Sequence, residues 1–127
     1  MPHFLLFLFS ISAVYAQIPV EEDPFHKIIV ENEKVRVLDL SVVGNDTTTT
    51  HIHSAASVVI FLTKASLAIQ TPGEAPVITN VDLGNAIYRA YDEKPVTHKV
   101  WSHDGSVMRC IVVEIRTDST KIKSIRK

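Results

Sequence analysis

The chain has 127 residues, and 13 Lys and Arg stand against 14 Asp and Glu, which gives a formal net charge of −1 at neutral pH. This length suits one domain, and a hydrophobic fraction of 46% beside 21% charged residues excludes intrinsic disorder. The near-neutral charge gives no reason to expect a nucleic-acid partner, and the single cysteine excludes an intramolecular disulfide.

Residues 1–16 are predicted to be a signal peptide. The apolar run Phe4–Val14 is followed by small residues at Val14 and Ala16, which is typical of a signal-peptidase site. A membrane-spanning helix needs about 20 apolar residues, so this run is too short for a stable span. We expect cleavage before Gln17 and a secreted or periplasmic mature protein; the alternative is an uncleaved anchor.

Residues 17–26 are predicted to form an extended arm, and the body of the domain follows at 27–116. In the body, short runs rich in Val, Ile and Thr alternate with turn residues, and no window keeps a helical spacing. The predicted strands are Lys27–Glu31, Val35–Val43, Val58–Thr63, Ser66–Thr71, Val77–Leu83, Ala86–Ala90, His98–Trp101 and Val107–Arg116. The chain is therefore predicted to be all-β.

The short connections between these strands predict antiparallel neighbours. So many short strands in a small domain must close or sandwich to hide their edges, which favours a barrel or jelly roll. Cys110 lies in an apolar run and is predicted to be a core residue. The basic segment 117–127 is predicted to be a frayed, solvated tail, with docking to an acidic surface or anionic lipid as the alternative.

Histidines form the pattern with the clearest chemical meaning. His51 and His53 are two residues apart, so on a strand they point to one face and can chelate one ion. His98 is the expected third ligand, carried by a different strand. Three neutral nitrogens with an open position are typical of a working metal site; the alternative is ordinary buried or surface histidines.

Two stretches resemble the motifs of the cupin superfamily. Gly44, His51 and His53, followed by the apolar strand Val58–Leu62, resemble the first cupin motif. Gly84 and Asn85, followed by Pro95–His98, resemble the second. The resemblance covers Lys27–Arg116. It implies an antiparallel cupin-type jelly-roll barrel, often a homodimer, that holds a divalent metal on His51, His53 and His98.

The chain also departs from the cupin pattern. Ser57 and Val58 stand where the first motif normally has a glutamate, and Ser102 stands where the second normally has an asparagine. A shell of three histidines resembles that of the thiol dioxygenases. Such a neutral shell favours an anionic or chelating ligand and suits iron, zinc, nickel or copper.

Three further residues are candidates for supporting roles. Glu114 could orient a histidine ligand from the last strand, or point outward to solvent. Tyr88 could line the mouth of the site, or simply pack. Asn45 begins an Asn-Asp-Thr triplet, an acceptor for glycosylation in a secreted eukaryotic protein.

Two functions are compatible with this sequence. The first is a small secreted metal-binding cupin that acts on a small molecule as an oxygenase, lyase or isomerase. The second is a non-catalytic cupin that binds a small ligand or a metal, or serves as a dimeric scaffold. The fold alone does not separate them, since one barrel hosts many activities.

Overall fold

The computed structural model describes residues 17–92 and 94–117, which form two five-stranded sheets. The strands are β1 (Ile18–Pro19), β2 (His26–Glu31), β3 (Val35–Val42), β4 (His51–His53), β5 (Ala56–Phe61), β6 (Ala65–Gln70), β7 (Val77–Val81), β8 (Ala86–Arg89), β9 (Val96–Ser102) and β10 (Met108–Ile115). A 3-10 turn at Val20–Glu22 follows β1. The predicted signal peptide lies outside the described residues, as does the predicted tail beyond Thr117.

The all-β prediction is confirmed. Every predicted strand overlaps an observed one, with ends that agree within two residues. Two short strands, β1 and β4, were not among the predicted strands. Both are too short for an alternating pattern to reveal them. Within the described ranges, no helix has the length and apolar character needed to cross a membrane.

The strand order is β1-β4-β9-β6-β7 in one sheet and β2-β3-β10-β5-β8 in the other. Only β2–β3 and β6–β7 join sequence neighbours within a sheet, so the expectation that short connections join antiparallel neighbours was wrong for most of them. The short link at 62–64, for example, carries the chain from β5 in one sheet to β6 in the other. Gly84, in the turn between β7 and β8, adopts a φ of +84°, a left-handed conformation that suits a tight turn.

The hydrophobic core combines inward-facing side chains from both sheets. It consists of Val20, Leu38, Leu40, Val42, Val59, Phe61, Ala65, Leu67, Val81, Val100, Met108, Cys110 and Val112, with Phe25 and Ile69 packed against it. Cys110 is thus a core residue, as predicted. Burial raises the pKa of its thiol to about 12, so the thiol is neutral.

The N-terminal segment packs on the body of the domain. β1 pairs in parallel with β4, Val20 lies in the core, and Asp23 is 1% exposed. The segment predicted to be an arm therefore contributes a short strand, a core side chain and a buried carboxylate to the fold.

The inward row of side chains changes character along β10. Met108, Cys110 and Val112 face the core, and two residues further on the same face presents Glu114. Ser57 is the corresponding polar residue on β5, directly opposite Glu114. One end of the sandwich is therefore lined by apolar side chains and the other by polar ones.

Candidate metal centre

Four buried histidines meet at the polar end of the sandwich: His26, His51, His53 and His98, which we call the histidine cluster. Each is at most 5% exposed. His51 and His98 are direct cross-strand partners on β4 and β9, so their imidazoles lie on one face of the sheet. Ring centroids are 4.8 Å apart for His51 and His98 and 5.0 Å for His53 and His98.

The spacing of the nitrogens suits a single ion. His53 Nε2 and His98 Nε2 are 3.2 Å apart. Two imidazole nitrogens at about 2.0–2.1 Å from one zinc ion, at tetrahedral or octahedral angles, are separated by about 2.9–3.4 Å. The two rings are therefore placed as neighbouring ligands would be.

His26 joins the same cluster from the opposite sheet. Ligand nitrogens of His26, His51 and His53 all lie within 4.8 Å of one another. Nitrogens on opposite sides of one ion are about 4.2 Å apart at these bond lengths. A small movement of the rings therefore brings all three nitrogens within bonding distance of one ion. The ring centroid of His26 is 4.6 Å from that of His51.

The backbone fixes which nitrogen of His51 is protonated. His51 Nδ1 donates to the carbonyl of Thr49 at 2.8 Å. Because a carbonyl oxygen only accepts, the proton is on Nδ1, and Nε2 keeps its lone pair. His51 Nε2 is buried and has no hydrogen-bond partner among the described residues. That lone pair is free for an ion.

Asp23 orients His26 in the same way. His26 Nδ1 donates to Asp23 Oδ2 at 2.6 Å, and the other carboxylate oxygen accepts the backbone N–H of Thr49 at 3.2 Å. Burial alone would raise the pKa of Asp23, but the hydrogen bond and charge of His26 outweigh burial and hold this pKa below its usual value. The carboxylate is therefore ionised and directs His26 Nε2 away from itself.

Glu114 is inward and 1% exposed, which resolves the two orientations considered for it from the sequence. Its Oε1 lies 3.7 Å from His53 Nδ1, and its Oε2 accepts a hydrogen bond from Arg36 Nε at 2.7 Å. Burial opposes the charged form, but His53 and Arg36 together lower the pKa of Glu114. The carboxylate faces the one nitrogen of His53 that does not face His98.

Three of the imidazoles, those of His51, His53 and His98, are held in their neutral form. Burial is the first cause, and it lowers the pKa of His51 to about 4 and that of His98 to about 2, with neighbouring imidazoles adding to the effect. Burial also lowers the pKa of His53, against the opposing influence of Glu114. Neutral imidazole is the form that binds metal.

The donor set therefore fits a divalent metal. Three buried polar atoms lack a hydrogen-bond partner within the part of the chain that the structure describes: His51 Nε2, His53 Nδ1 and Glu114 Oε1. Such atoms are costly to bury without a partner. Imidazole nitrogens suit zinc, copper, iron and nickel, and the hydrogen bonds to Asp23 and Thr49 support the ligands as metal sites require.

A small cavity adjoins the histidine cluster. Its free volume is about 30 Å³. A buried water needs roughly 10–15 Å³ of such free volume, so the cavity has room for about two water-sized atoms. Apolar core side chains form most of the wall, and the lining also includes Arg89 and Cys110.

Some residues singled out from the sequence lie at this site and others do not. His51, His53 and His98 come together, but through strand pairing in one sheet rather than across the interior. Tyr88 is 64% exposed and pairs with Val58 on the outer face of its sheet, so the structure does not bring it to the histidines. Asn45 is exposed in the loop before β4, and its glycosylation stays a prediction.

His26 is the member of the histidine cluster that the sequence did not reveal. It was assigned to the end of the predicted arm, one residue before the first predicted strand. The available signal was weak: an acidic residue at 23 and a histidine at 26, next to an apolar run. Only the three-dimensional fold places it beside a histidine pair more than twenty residues away in the chain.

Known structures share this architecture. A cupin domain from Bordetella pertussis is 25% identical, with a TM-score of 0.65 over 72% of this chain and 92% of that one. An RmlC-like cupin family protein with a double-stranded β-helix fold from Methanocaldococcus jannaschii is 14% identical, with a TM-score of 0.59 over 77% of this chain and 84% of that one. No protein-family model matches the sequence, and no curated protein does. The predicted cupin resemblance and jelly-roll fold are confirmed by structure.

Proposed function

Because this chain has the cupin fold, we propose that it is a small metal-binding cupin that holds one divalent first-row ion in the histidine cluster and presents it to a small molecule. The observation that carries this proposal is the convergence of four buried imidazoles, two of which have their outer nitrogen held by a hydrogen bond. Thr49 and Asp23 fix the protons of His51 and His26, so the remaining lone pairs face one another. The protein has preorganised the ligands before an ion arrives.

The roles of the individual residues follow from this geometry. His51, His53 and His98 bind the ion, and His26 supplies a fourth imidazole from the opposite sheet. Asp23, Thr49 and Glu114 orient the rings and do not bind the ion themselves. The cavity beside the cluster, with its apolar walls, excludes bulk water and admits a small ligand.

The catalytic version of this function is a metal-dependent oxygenase, lyase or isomerase. A bound ion would supply Lewis-acid chemistry or, if it is iron, electrons for reaction with O₂. The chain would bind the substrate in the cavity, keep water out, and hold the ligand protons at fixed atoms. The alternative function, a non-catalytic binder or scaffold, uses the same site without turnover.

Metal analysis tests the proposed function directly. We expect the purified protein, loaded anaerobically with Fe²⁺ or with Zn²⁺, to retain about one ion per chain, as fits a site with one set of ligands. The double variant His51→Ala, His98→Ala should retain none. An exposed histidine, His103, provides the matched control variant His103→Ala. A metal-free wild-type protein under these conditions overturns the proposal.

Oxygen uptake then separates the catalytic and non-catalytic versions. The iron-loaded protein is mixed with thiol, diketone and phenolic compounds in an oxygen electrode. Consumption that His98→Ala abolishes supports an oxygenase. The non-catalytic version is favoured if the protein binds iron but consumes no oxygen, and if the zinc-loaded protein does not turn over the same compounds.

We also propose export and removal of residues 1–16. The support is the apolar run and the small residues before Gln17. Expression in a host with its own secretion pathway, followed by mass spectrometry, should find a mature protein that begins at Gln17. An intact N-terminus on exported or retained protein would contradict the proposed cleavage.

A homodimer is a further part of the proposal. Apolar side chains on the edge strands of one sheet are exposed, at 39% for Ile28 on β2 and 38% for Ile87 on β8. Such faces favour association between copies. Light scattering coupled to size exclusion should give twice the monomer mass, and Ile87→Lys should shift the protein toward monomer.

A further inference from the structure

One charged residue of the cavity is not used by the proposed metal site. Arg89 lies at the end of β8, is half-buried, and lines the cavity beside the histidine cluster. Among residues 17–92 and 94–117, no hydrogen bond or ion pair of its guanidinium is found. A partly buried guanidinium has donors to satisfy and a charge to balance.

The strand register shows what surrounds this guanidinium. One row of directly paired residues runs across β3, β10, β5 and β8, namely Arg36, Glu114, Ser57 and Arg89. Neighbouring strands are about 4.8 Å apart, so Glu114 and Arg89 are separated by about 10 Å, with the short side chain of Ser57 between them. Glu114 is already bound by Arg36 Nε at 2.7 Å.

No other described group neutralises Arg89. The Cys110 thiol lies in the same cavity, but burial raises its pKa to about 12, so it carries no charge. Asp23 accepts from His26 and from the backbone of Thr49. The cavity thus carries one cation beside the neutral imidazoles of His51, His53 and His98, and an ion on those imidazoles would add two further positive charges.

Resting on the proposed function, we infer that the histidine cluster and Arg89 together form a site for a small organic carboxylate. The carboxylate would bind in the cavity that both groups line, between the guanidinium and the imidazoles. A guanidinium donates two parallel hydrogen bonds to a carboxylate, a geometry that lysine cannot match. The cavity, at about 30 Å³, has room for a group with two oxygens and little more.

Acetate is the probe, with acetamide as its neutral isostere. Each is titrated into the Co²⁺-loaded protein at pH 7.5, followed by the visible spectrum of cobalt and by calorimetry. Acetate should bind and acetamide should bind at least about 10-fold more weakly, as expected for a hydrogen bond between charged partners. Equal affinity for the two compounds overturns the inference.

Arg89→Gln should weaken acetate binding by about 10- to 100-fold while Co²⁺ affinity is retained. The matched control is Arg109→Gln, because Arg109 pairs with Asp39 at the surface, with its side chain 50% exposed. This control should bind acetate as the wild type does. Wild-type acetate affinity in Arg89→Gln overturns the inference.

Ser57→Asp is the second variant, and it keeps Arg89 in place. The new carboxylate lies directly across from Arg89 in the strand register, so it should pair with the guanidinium and abolish acetate binding. Ser57→Asn is its isosteric control and should retain most of the affinity. Undiminished acetate binding in Ser57→Asp overturns the inference.

The outcomes for metal and for anion are separable. If Co²⁺ binds but acetate affinity ignores Arg89, the proposed function stands and the carboxylate site fails. If Co²⁺ does not bind the wild type, the proposed function fails. Acetate is then titrated into the metal-free protein by NMR, where shifts that depend on Arg89 support an anion site and their absence overturns it.

Discussion

The two ends of the sandwich are built from the same strands and differ in what the inward side chains do. At the apolar end, Val42 and Met108 are buried by contact with other core side chains. At the polar end, the same strand alternation delivers imidazoles and carboxylates to the interior. Apolar burial stabilises the fold through area removed from water, whereas each buried polar group must be offset by a specific partner.

The supporting partners show how that cost is met. Asp23 serves His26 and the backbone of Thr49, and Arg36 serves both Glu114 at 2.7 Å and Glu21 at 3.2 Å. Among the described residues, the atoms left without partners belong to the cluster and its support: His51 Nε2 on one side, and His53 Nδ1 facing Glu114 Oε1 on the other. The comparison teaches that one end of the sandwich is organised for stability and the other for binding, and substitutions should separate the two.

The largest effect on folding is expected in the apolar core. Leu38 is fully buried, so Leu38→Ala removes apolar contacts and leaves a cavity. The free energy of unfolding should fall by about 2–5 kcal/mol, measured by urea denaturation. Leu83→Ala, at a site 70% exposed, is the control and should change little. A loss of less than about 1 kcal/mol for Leu38→Ala would contradict the role of the apolar core in stability.

The largest effect on binding is expected at His53. Its ligand nitrogen lies within 4.8 Å of those of His26 and His51, and its Nε2 is 3.2 Å from His98 Nε2. His53→Ala should weaken metal binding by more than about 100-fold, which exceeds the usual loss when only a supporting residue is removed. Calorimetry with Zn²⁺ measures the change. The control His103→Ala should bind Zn²⁺ with the affinity of the wild type. Unchanged Zn²⁺ affinity in His53→Ala would contradict the assignment of the polar end to binding.

A smaller effect on binding is expected from a supporting residue. Asp23→Asn keeps the size of the side chain but removes the charge that orients His26 Nδ1. Metal affinity should fall by about 10- to 100-fold. Asp39→Asn is the matched control, because Asp39 pairs with Arg109 away from the cluster. If both variants bind Zn²⁺ equally well, Asp23 has no positioning role.

The last prediction concerns the stability of the metal-free protein against pH. In the unfolded chain an imidazole takes up a proton near pH 6.5, whereas in the fold the pKa of His51 is lowered to about 4 and that of His98 to about 2. The unfolded state therefore binds more protons in this window. Stability is fully present above pH 6.5 and should fall as pH decreases toward 4, by at most about 1.4 kcal/mol per pH unit for each imidazole.

Urea denaturation at a series of pH values measures this slope. His98→Ala should flatten the dependence because one depressed imidazole is gone, and His103→Ala should leave it as in the wild type. A free energy of unfolding that stays constant between pH 7 and pH 5 would show that the buried histidines do not resist protonation.

The sequence predicted the strands and the pair His51 and His53 from local patterns, and it predicted His98 from the resemblance to the second cupin motif. Alternating Val and Ile marked the strands, and the pair His51 and His53 marked one face of β4. The membership of His26 was not predictable, since it depends on how the N-terminal segment packs against a strand of the other sheet. The exposed position of Tyr88 was equally hidden, because alternation gives two faces but does not say which is inward.

The sequence also gave no reason to single out Arg89. Its significance depends on the pairing of β8 with β5, which places it opposite Ser57 and away from every described carboxylate. Register of this kind is decided by the whole sheet rather than by the residues of one strand.

The shortest of the site's strands carries two of its histidines. β4 spans three residues and is held by three residue pairs to β9 and two to β1. A slip of one position would turn both imidazoles outward, and so few ladder bonds give little protection against it. An ion bound by residues of β4, β9 and β2 would hold these strands in their register. Metal binding and the correct register of β4 would then be coupled in one equilibrium.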